Sequence, residues 1–344
     1  MLKTGERSYA YAKACGIIGK SFIGRRVPVL EKAVRLSELD RVIFPFSSQN
    51  LPEKELLRDL EKRIISRSVK SIISIVECFS RPPLFLLLLL RIYEYLDLMN
   101  AITASMEKEQ AMPFLTGLGR FGTVHFEKWP DIIAMIEETP FGFLLEDKNL
   151  INIIKDEKGD NTKKRFTLQS ALDNHYYKSL WRSIFMLKAR DRYAAKKIIS
   201  NEISLKNCSW VLRLRTYYGM SAEEIKPCLV EIPSEDLAGD ALLSLDFPLD
   251  NYSAWSAWRW KGFLNTPSVT REWQADPRHF QNAASRHLFH LARHHFRLNP
   301  FSLDTVFCFI KLKQFEEDLL TSSAEGLSIG MPVRDIVSLL GLES

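Results

Sequence analysis

A seven-residue box that occurs twice constrains this chain more than any other feature. Gly219-Met220-Ser221-Ala222-Glu223-Glu224-Ile225 and Gly330-Met331-Pro332-Val333-Arg334-Asp335-Ile336 share a Gly-Met start and an acid-Ile end, 111 residues apart. Leu229 stands after the first copy where Leu340 stands after the second. A repeat of that size makes the chain a set of similar units. Two further markers recur at comparable spacing. Pro45, Pro140 and Pro248 each follow a short predicted helix, at intervals of 95 and 108 residues. Asp97-x-x-Asn100, Ser204-x-x-Asn207 and Glu316-x-x-Leu319 fall in long predicted helices, at intervals of 107 and 112. Three units are expected, spanning 1–118, 119–233 and 234–344. The last triplet reads as a partly buried polar pair tying one helix to its neighbour.

The units are predicted to be helical throughout. Gly and Pro number only 15 each in 344 residues, which favours long helices over a turn-rich β fold. From Phe301 to Leu320 apolar residues recur at helical spacing (Val306, Phe309, Ile310, Leu312, Phe315, Leu319), after Ser302 and Asp304 in the first turn. This helix is expected to end at the polar segment from Ser322 to Gly326. Long helices are also predicted over Glu55–Ser80 and Leu84–Met106, separated by Pro82-Pro83, and as a pair within Ser170–Val211 meeting near Arg190. Short amphipathic helices are expected over Val29–Ile43, Trp129–Glu138 and Leu237–Leu245. The charged stretch Lys155–Lys164 reads as an exposed loop. The most apolar run, Leu84 to Leu90, covers seven residues against the roughly 20 that span a bilayer. It is expected to be a buried core segment.

Charge and composition exclude several functions. A net charge of +5 from 47 basic and 42 acidic residues is too mild to imply nucleic acid, though it suits an anionic surface or an acidic partner. The five cysteines (15, 78, 208, 228, 308) lie far apart and form no metal-ligand pair, as expected of reduced thiols inside a cell. Ala14-x-x-x-x-Gly19-Lys20-Ser21 has the spacing of a phosphate loop, and Phe143–Asp147 has the look of a magnesium-binding strand. No strand pattern precedes Gly19, so a helix with glycine kinks is the better reading. His287, His290 and His294 share one helix face at metal-capable spacing, but Arg286, Arg293 and Arg297 interrupt it and no carboxylate lies nearby in sequence. A solvated basic face is expected. Trp255, Trp258 and Trp260 with Arg259 and Lys261 read as the plug of a helix junction, the cations reaching water. No catalytic, cofactor-binding or metal-binding residue is assigned.

The C-terminal pattern is a long helix with Lys313 and Glu316, followed by Gly330-Met331-Pro332 and Asp335-Ile336. It resembles the end of the C-type stalk proteins of V/A-type ATPases. That family includes the d-type protein of eukaryotic vacuolar pumps, and Tyr9, Tyr11 and Ala12 match its opening helix. The resemblance implies an all-α, funnel-like protein of three helical-bundle units around a pseudo-three-fold axis. It implies no chemistry and no cofactor. The expected role is a socket between the membrane proteolipid ring and the D- and F-type shaft subunits, peripheral to the cytoplasmic face of the membrane. Arg25, Arg26, Arg293 and Arg297 are the candidate contacts for acidic partner loops. Two other readings are a helical scaffold unrelated to the pump and a phosphate-loop enzyme using Lys20.

Overall fold

In the computed structural model, residues 4–46, 49–109, 111–155, 161–233, 235–267 and 272–341 are described. Among them all regular structure is helical, apart from an isolated bridge between Ile232 and Glu235. The expected all-α class is found. The first part of the chain carries α1 (Thr4–Ile18), α2 (Val27–Leu30), α3 (Leu36–Ile43), α4 (Glu53–Val76) and α5 (Leu84–Met106). The middle carries α6 (Ile132–Ile136), α7 (Phe143–Glu146), α8 (Lys148–Lys155), α9 (Asn161–Phe185), α10 (Tyr193–Tyr218) and α11 (Ala222–Ile225). The last part carries α12 (Gly239–Ser244), α13 (Pro277–Leu298), α14 (Leu303–Ser328) and α15 (Val333–Leu340). Three pairs of long helices therefore follow one another, α4/α5, α9/α10 and α13/α14.

Boundaries differ from the sequence reading where local chemistry intervenes. The expected Val29–Ile43 helix is two short ones, α2 and α3, separated by Glu31–Arg35. The Trp129–Glu138 helix shrinks to α6, because Asp131 caps it by accepting from the Ala134 N–H at 3.0 Å. The last long helix continues past Gly326 to Ser328. Gly326 is needed there, since a Cβ would lie 2.0 Å from the Ile336 side chain of α15 folded back upon it. The Lys155–Lys164 loop begins at the end of α8 and ends within α9; its residues 156–160 lie outside the described residues.

The repeated box is a turn. Gly219 ends α10 with φ +58°, and Gly330 follows α14 with φ +81°, conformations that a side chain makes costly. A short helix restarts each time. In the first copy Ser221 and Glu224 form a reciprocal capping box; in the second Pro332 precedes α15.

Burial falls into two cores. The larger takes apolar residues from α1 through α5, from α9, from the first half of α10, from the second half of α13, and from α14 and α15. The smaller takes the second half of α10, α11, α12 and the first half of α13 around Trp255, Trp258, Trp260 and Phe280. Helices α10 and α13 thus contribute one end to each core. Helix α14 packs on α13, α4, α1 and α10, so the two ends of the chain meet. The leucine run is core as expected: Leu86, Leu89 and Leu90 are fully buried, with only Leu84 exposed. No helix among the described residues is long and apolar enough to cross a membrane.

Candidate functional site

Buried polar side chains on the long helices form the most ordered chemistry in the molecule. On α5, Glu94 accepts from the Val124 N–H at 2.7 Å and from the Thr123 N–H and hydroxyl. One turn on, Asp97 accepts from the Thr116 N–H at 3.0 Å and its hydroxyl at 2.7 Å. On α10, Asn207 exchanges two hydrogen bonds with the backbone of Val230, at 2.8 and 2.9 Å. Ser204, one turn before it, sits against Asp240 and the Trp260 indole at 3.4 Å from each. On α14, Glu316 accepts from the Phe22 N–H at 2.7 Å and pairs with Lys313, one turn earlier, and with Arg67 at 3.6 Å. All six of Glu94, Asp97, Ser204, Asn207, Lys313 and Glu316 are buried.

These contacts correct the sequence reading in two ways. The acid or amide ties the helix to the backbone of an irregular connecting segment, where a neighbouring helix was expected. The register also shifts by three residues in the outer copies, because Asn100 is exposed and Leu319 is simply core. The buried pairs start at 94, 204 and 313, steps of 110 and 109 residues, more even than the steps read from sequence. Each pair is i, i+3 on one helix face, so both members reach the same segment. Irregular backbone has no helical ladder to satisfy it, and a buried side-chain acceptor or donor supplies what is missing.

Electrostatics separates the three. Burial pushes the Asp97 carboxyl up to about 6, its hydrogen bonds to Thr116 offsetting only part of the cost. Burial acts on Glu316 too, but Lys313, the Phe22 N–H and Arg67 more than offset it and hold the carboxyl below its usual range. Next to it Glu317, hydrogen-bonded by the Tyr93 hydroxyl at 2.7 Å, is pushed by burial up to about 7.

The turns of the three helix pairs meet at one end. Ser80 and Pro83, Leu187 and Lys188, and Phe301 and Leu303 line a single cleft of about 780 Å³. Arg7 of α1 closes its floor through a bidentate pair with Asp191, at 2.8 and 2.9 Å, and Asp191 also accepts from the Leu303 N–H at 3.2 Å.

The arginines singled out from sequence do not form one patch. Arg25 is exposed, while Arg26 stacks 4.5 Å from the Phe22 ring and donates to the Lys20 carbonyl. Both lie beside the Glu316 tie. Arg293 and Arg297 lie at the far end of α13, next to the start of α14. Thirteen residues of α14 separate the two levels, about 20 Å along the helix. The phosphate-loop reading fails on geometry. A helix precedes Gly19, and the N–H groups of Gly19, Lys20 and Ser21 donate to the carbonyls of Cys15, Ile17 and Ile18. Ser21 is buried, and Phe143–Glu146 is helical. The histidines do not assemble either: His287 packs on Trp260 and Phe263, His290 and His294 face solvent, and no group of three metal-capable ligands exists among the described residues. The tryptophans do plug a junction, with the indole N–H groups of Trp255 and Trp258 donating to the carbonyls of Pro248 and Asp240. Two buried groups carried no signal in the residue pattern. One is His295, whose ring nitrogens lack hydrogen-bond partners, and the other is Asp304, whose carboxyl burial pushes up.

The likeness to known proteins covers most of the chain. The family described as ATP synthase (C/AC39) subunit matches residues 45–339, and the chain belongs to that family. A relative in Treponema pallidum (strain Nichols), described as an uncharacterized protein, is 26% identical over 334 residues, covering 94% of this chain and 92% of its own length.

Proposed function

We propose that this chain is the non-catalytic central-stalk socket of a V/A-type rotary ATPase. It would sit on the cytoplasmic face of the membrane, between the proteolipid ring and the D- and F-type shaft subunits. It would couple ATP hydrolysis or synthesis to proton or sodium movement. Membership of the ATP synthase (C/AC39) family carries the reading. Three similar units, 1–118, 119–233 and 234–344, arranged as a funnel, are part of the proposal; the even spacing of the buried polar pairs supports them. A socket must transmit torque without yielding. Side chains that pin irregular connections onto long helices serve that need, because such connections are otherwise the softest parts of a helical protein. Arg25, Arg26, Arg293 and Arg297 remain candidate contacts, now on two levels and so for two different partner surfaces.

The test compares ATPase rate and ion transport in reconstituted membranes with and without this protein. The expected outcome is hydrolysis that persists while transport stops. Transport still coupled to hydrolysis without the chain overturns the reading.

A further inference from the structure

A second cavity, of about 360 Å³, lies between α5, α9 and the Pro140-Phe141 turn. Its volume is at the low end of the roughly 300–1,000 Å³ of small-molecule sites. Its lining is unusual in charge. Arg91 enters from α5 and Arg182 from α9, and no carboxylate lines the space. The Arg91 Nε is buried with no hydrogen-bond partner, and neither guanidinium has an ion pair among the described residues. A buried guanidinium nitrogen left without an acceptor costs free energy, and a bound anion is what relieves it. The back wall is rigid. The Tyr95 hydroxyl lies 2.6 Å from His175 Nδ1, and the imidazole stacks on Phe143 with ring centres 4.0 Å apart. With Nδ1 engaged by Tyr95, and burial and Arg182 keeping His175 neutral, the ring adds no third charge. The mouth is apolar: Leu84 is 45% exposed and Met186 75% exposed, beside buried Leu88 and Phe141.

We propose that this cavity binds a small anionic amphiphile, a carboxylate or phosphate head on a hydrocarbon chain. Arg91 and Arg182 hold the head, and Leu84, Leu88 and Met186 take the chain. The paired arginines suit an anion's oxygens, and the exposed leucine and methionine gain most by losing water. Inorganic phosphate would leave the apolar mouth uncovered, and a neutral alcohol would leave both cations unanswered. This site is independent of the stalk reading, since it needs only the folded chain.

The test is calorimetric titration of the purified full chain with decanoate, decyl phosphate, decanol and inorganic phosphate. Decanoate and decyl phosphate should bind at least tenfold more tightly than the other two. Arg182→Gln, an exposed change that leaves folding intact, should weaken decanoate by about tenfold, as should Arg91→Gln. Leu88→Trp should block binding by filling the cavity. Displacement of decanoate by phosphatidylglycerol vesicles but not phosphatidylcholine vesicles would identify a bilayer lipid as the source; no displacement would identify a free amphiphile. Equal affinity for decanol and decanoate, or an Arg182→Gln chain that binds decanoate unchanged, overturns the proposal.

Discussion

Asp97 on α5 and Glu316 on α14 occupy corresponding places and do the same mechanical work, yet they respond to protons in opposite senses. Each is a buried carboxylate that accepts a backbone N–H from an irregular segment, Thr116 in one case and Phe22 in the other. Asp97 has neutral partners only, so burial dominates and its proton is held more tightly than in water. Glu316 has Lys313 and Arg67, so its charged form is favoured. Between them in the chain Asn207 ties Val230 with no ionisable group. The shape of a tie is therefore set by position on the helix, and its chemistry by whether a cation is buried alongside.

The largest effect expected from this comparison is at Glu316. Glu316→Ala leaves Lys313 buried beside an empty place and frees the Phe22 N–H, which should cost about 3–5 kcal/mol in urea unfolding. A double variant, Lys313→Met with Glu316→Leu, should recover much of that loss, because the cost lies in the unpaired charge. A single variant as stable as the unaltered chain would remove the distinction between charged and neutral ties.

A smaller effect is expected from pH at Asp97. Its folded value of about 6 lies above the ordinary aspartate value of 3.8, so between these values the folded chain binds more protons than the unfolded one. Asp97 then contributes most below pH 4, and that contribution is lost as pH rises through about 6, by up to about 3 kcal/mol at 1.36 kcal/mol per unit. Glu316 runs the other way: its contribution is present above the usual glutamate range and is lost as pH falls through its depressed value. Asp97→Asn should flatten the slope between pH 4 and 6, whereas the Glu316→Ala chain should keep it. The same slope in both variants would show that the two carboxylates titrate alike.

Much of this is legible in the residues, for reasons that also explain the misses. Helix α5 reads to the residue because Pro82-Pro83 sets a sharp start and the leucine run an unbroken apolar face. Helices α2 and α3 read as one because Leu30, Ala33, Leu36, Leu39 and Ile43 keep helical spacing across a break that all five help to bury. The three ties show as a periodic polar signal that falls three residues off in two copies. Residues i and i+3 share a face, so spacing alone cannot choose between Glu94-x-x-Asp97 and Asp97-x-x-Asn100. Their backbone partners are invisible in sequence, because a side chain bound to a distant peptide group leaves no local pattern. The same holds for the cavity at Arg91 and Arg182, which only the packing of α5 on α9 creates.

The smallest effect is expected a few residues from the Glu316 tie, at Lys20. The two features share a segment: Phe22 gives its N–H to Glu316, and the Lys20 carbonyl accepts from Arg26. Only backbone is used at Lys20, and its side chain is exposed. The amides that a phosphate loop would need are already bonded to Cys15, Ile17 and Ile18. Lys20→Ala should therefore change stability by no more than about 0.5 kcal/mol, as for an ordinary surface position. It should also leave ATP binding by the isolated chain as it was. The check is urea unfolding with an ATP titration on both forms. A loss of ATP affinity on this one change would mean that the segment beside Glu316 opens to expose its amides, and the rigid tie would not hold there.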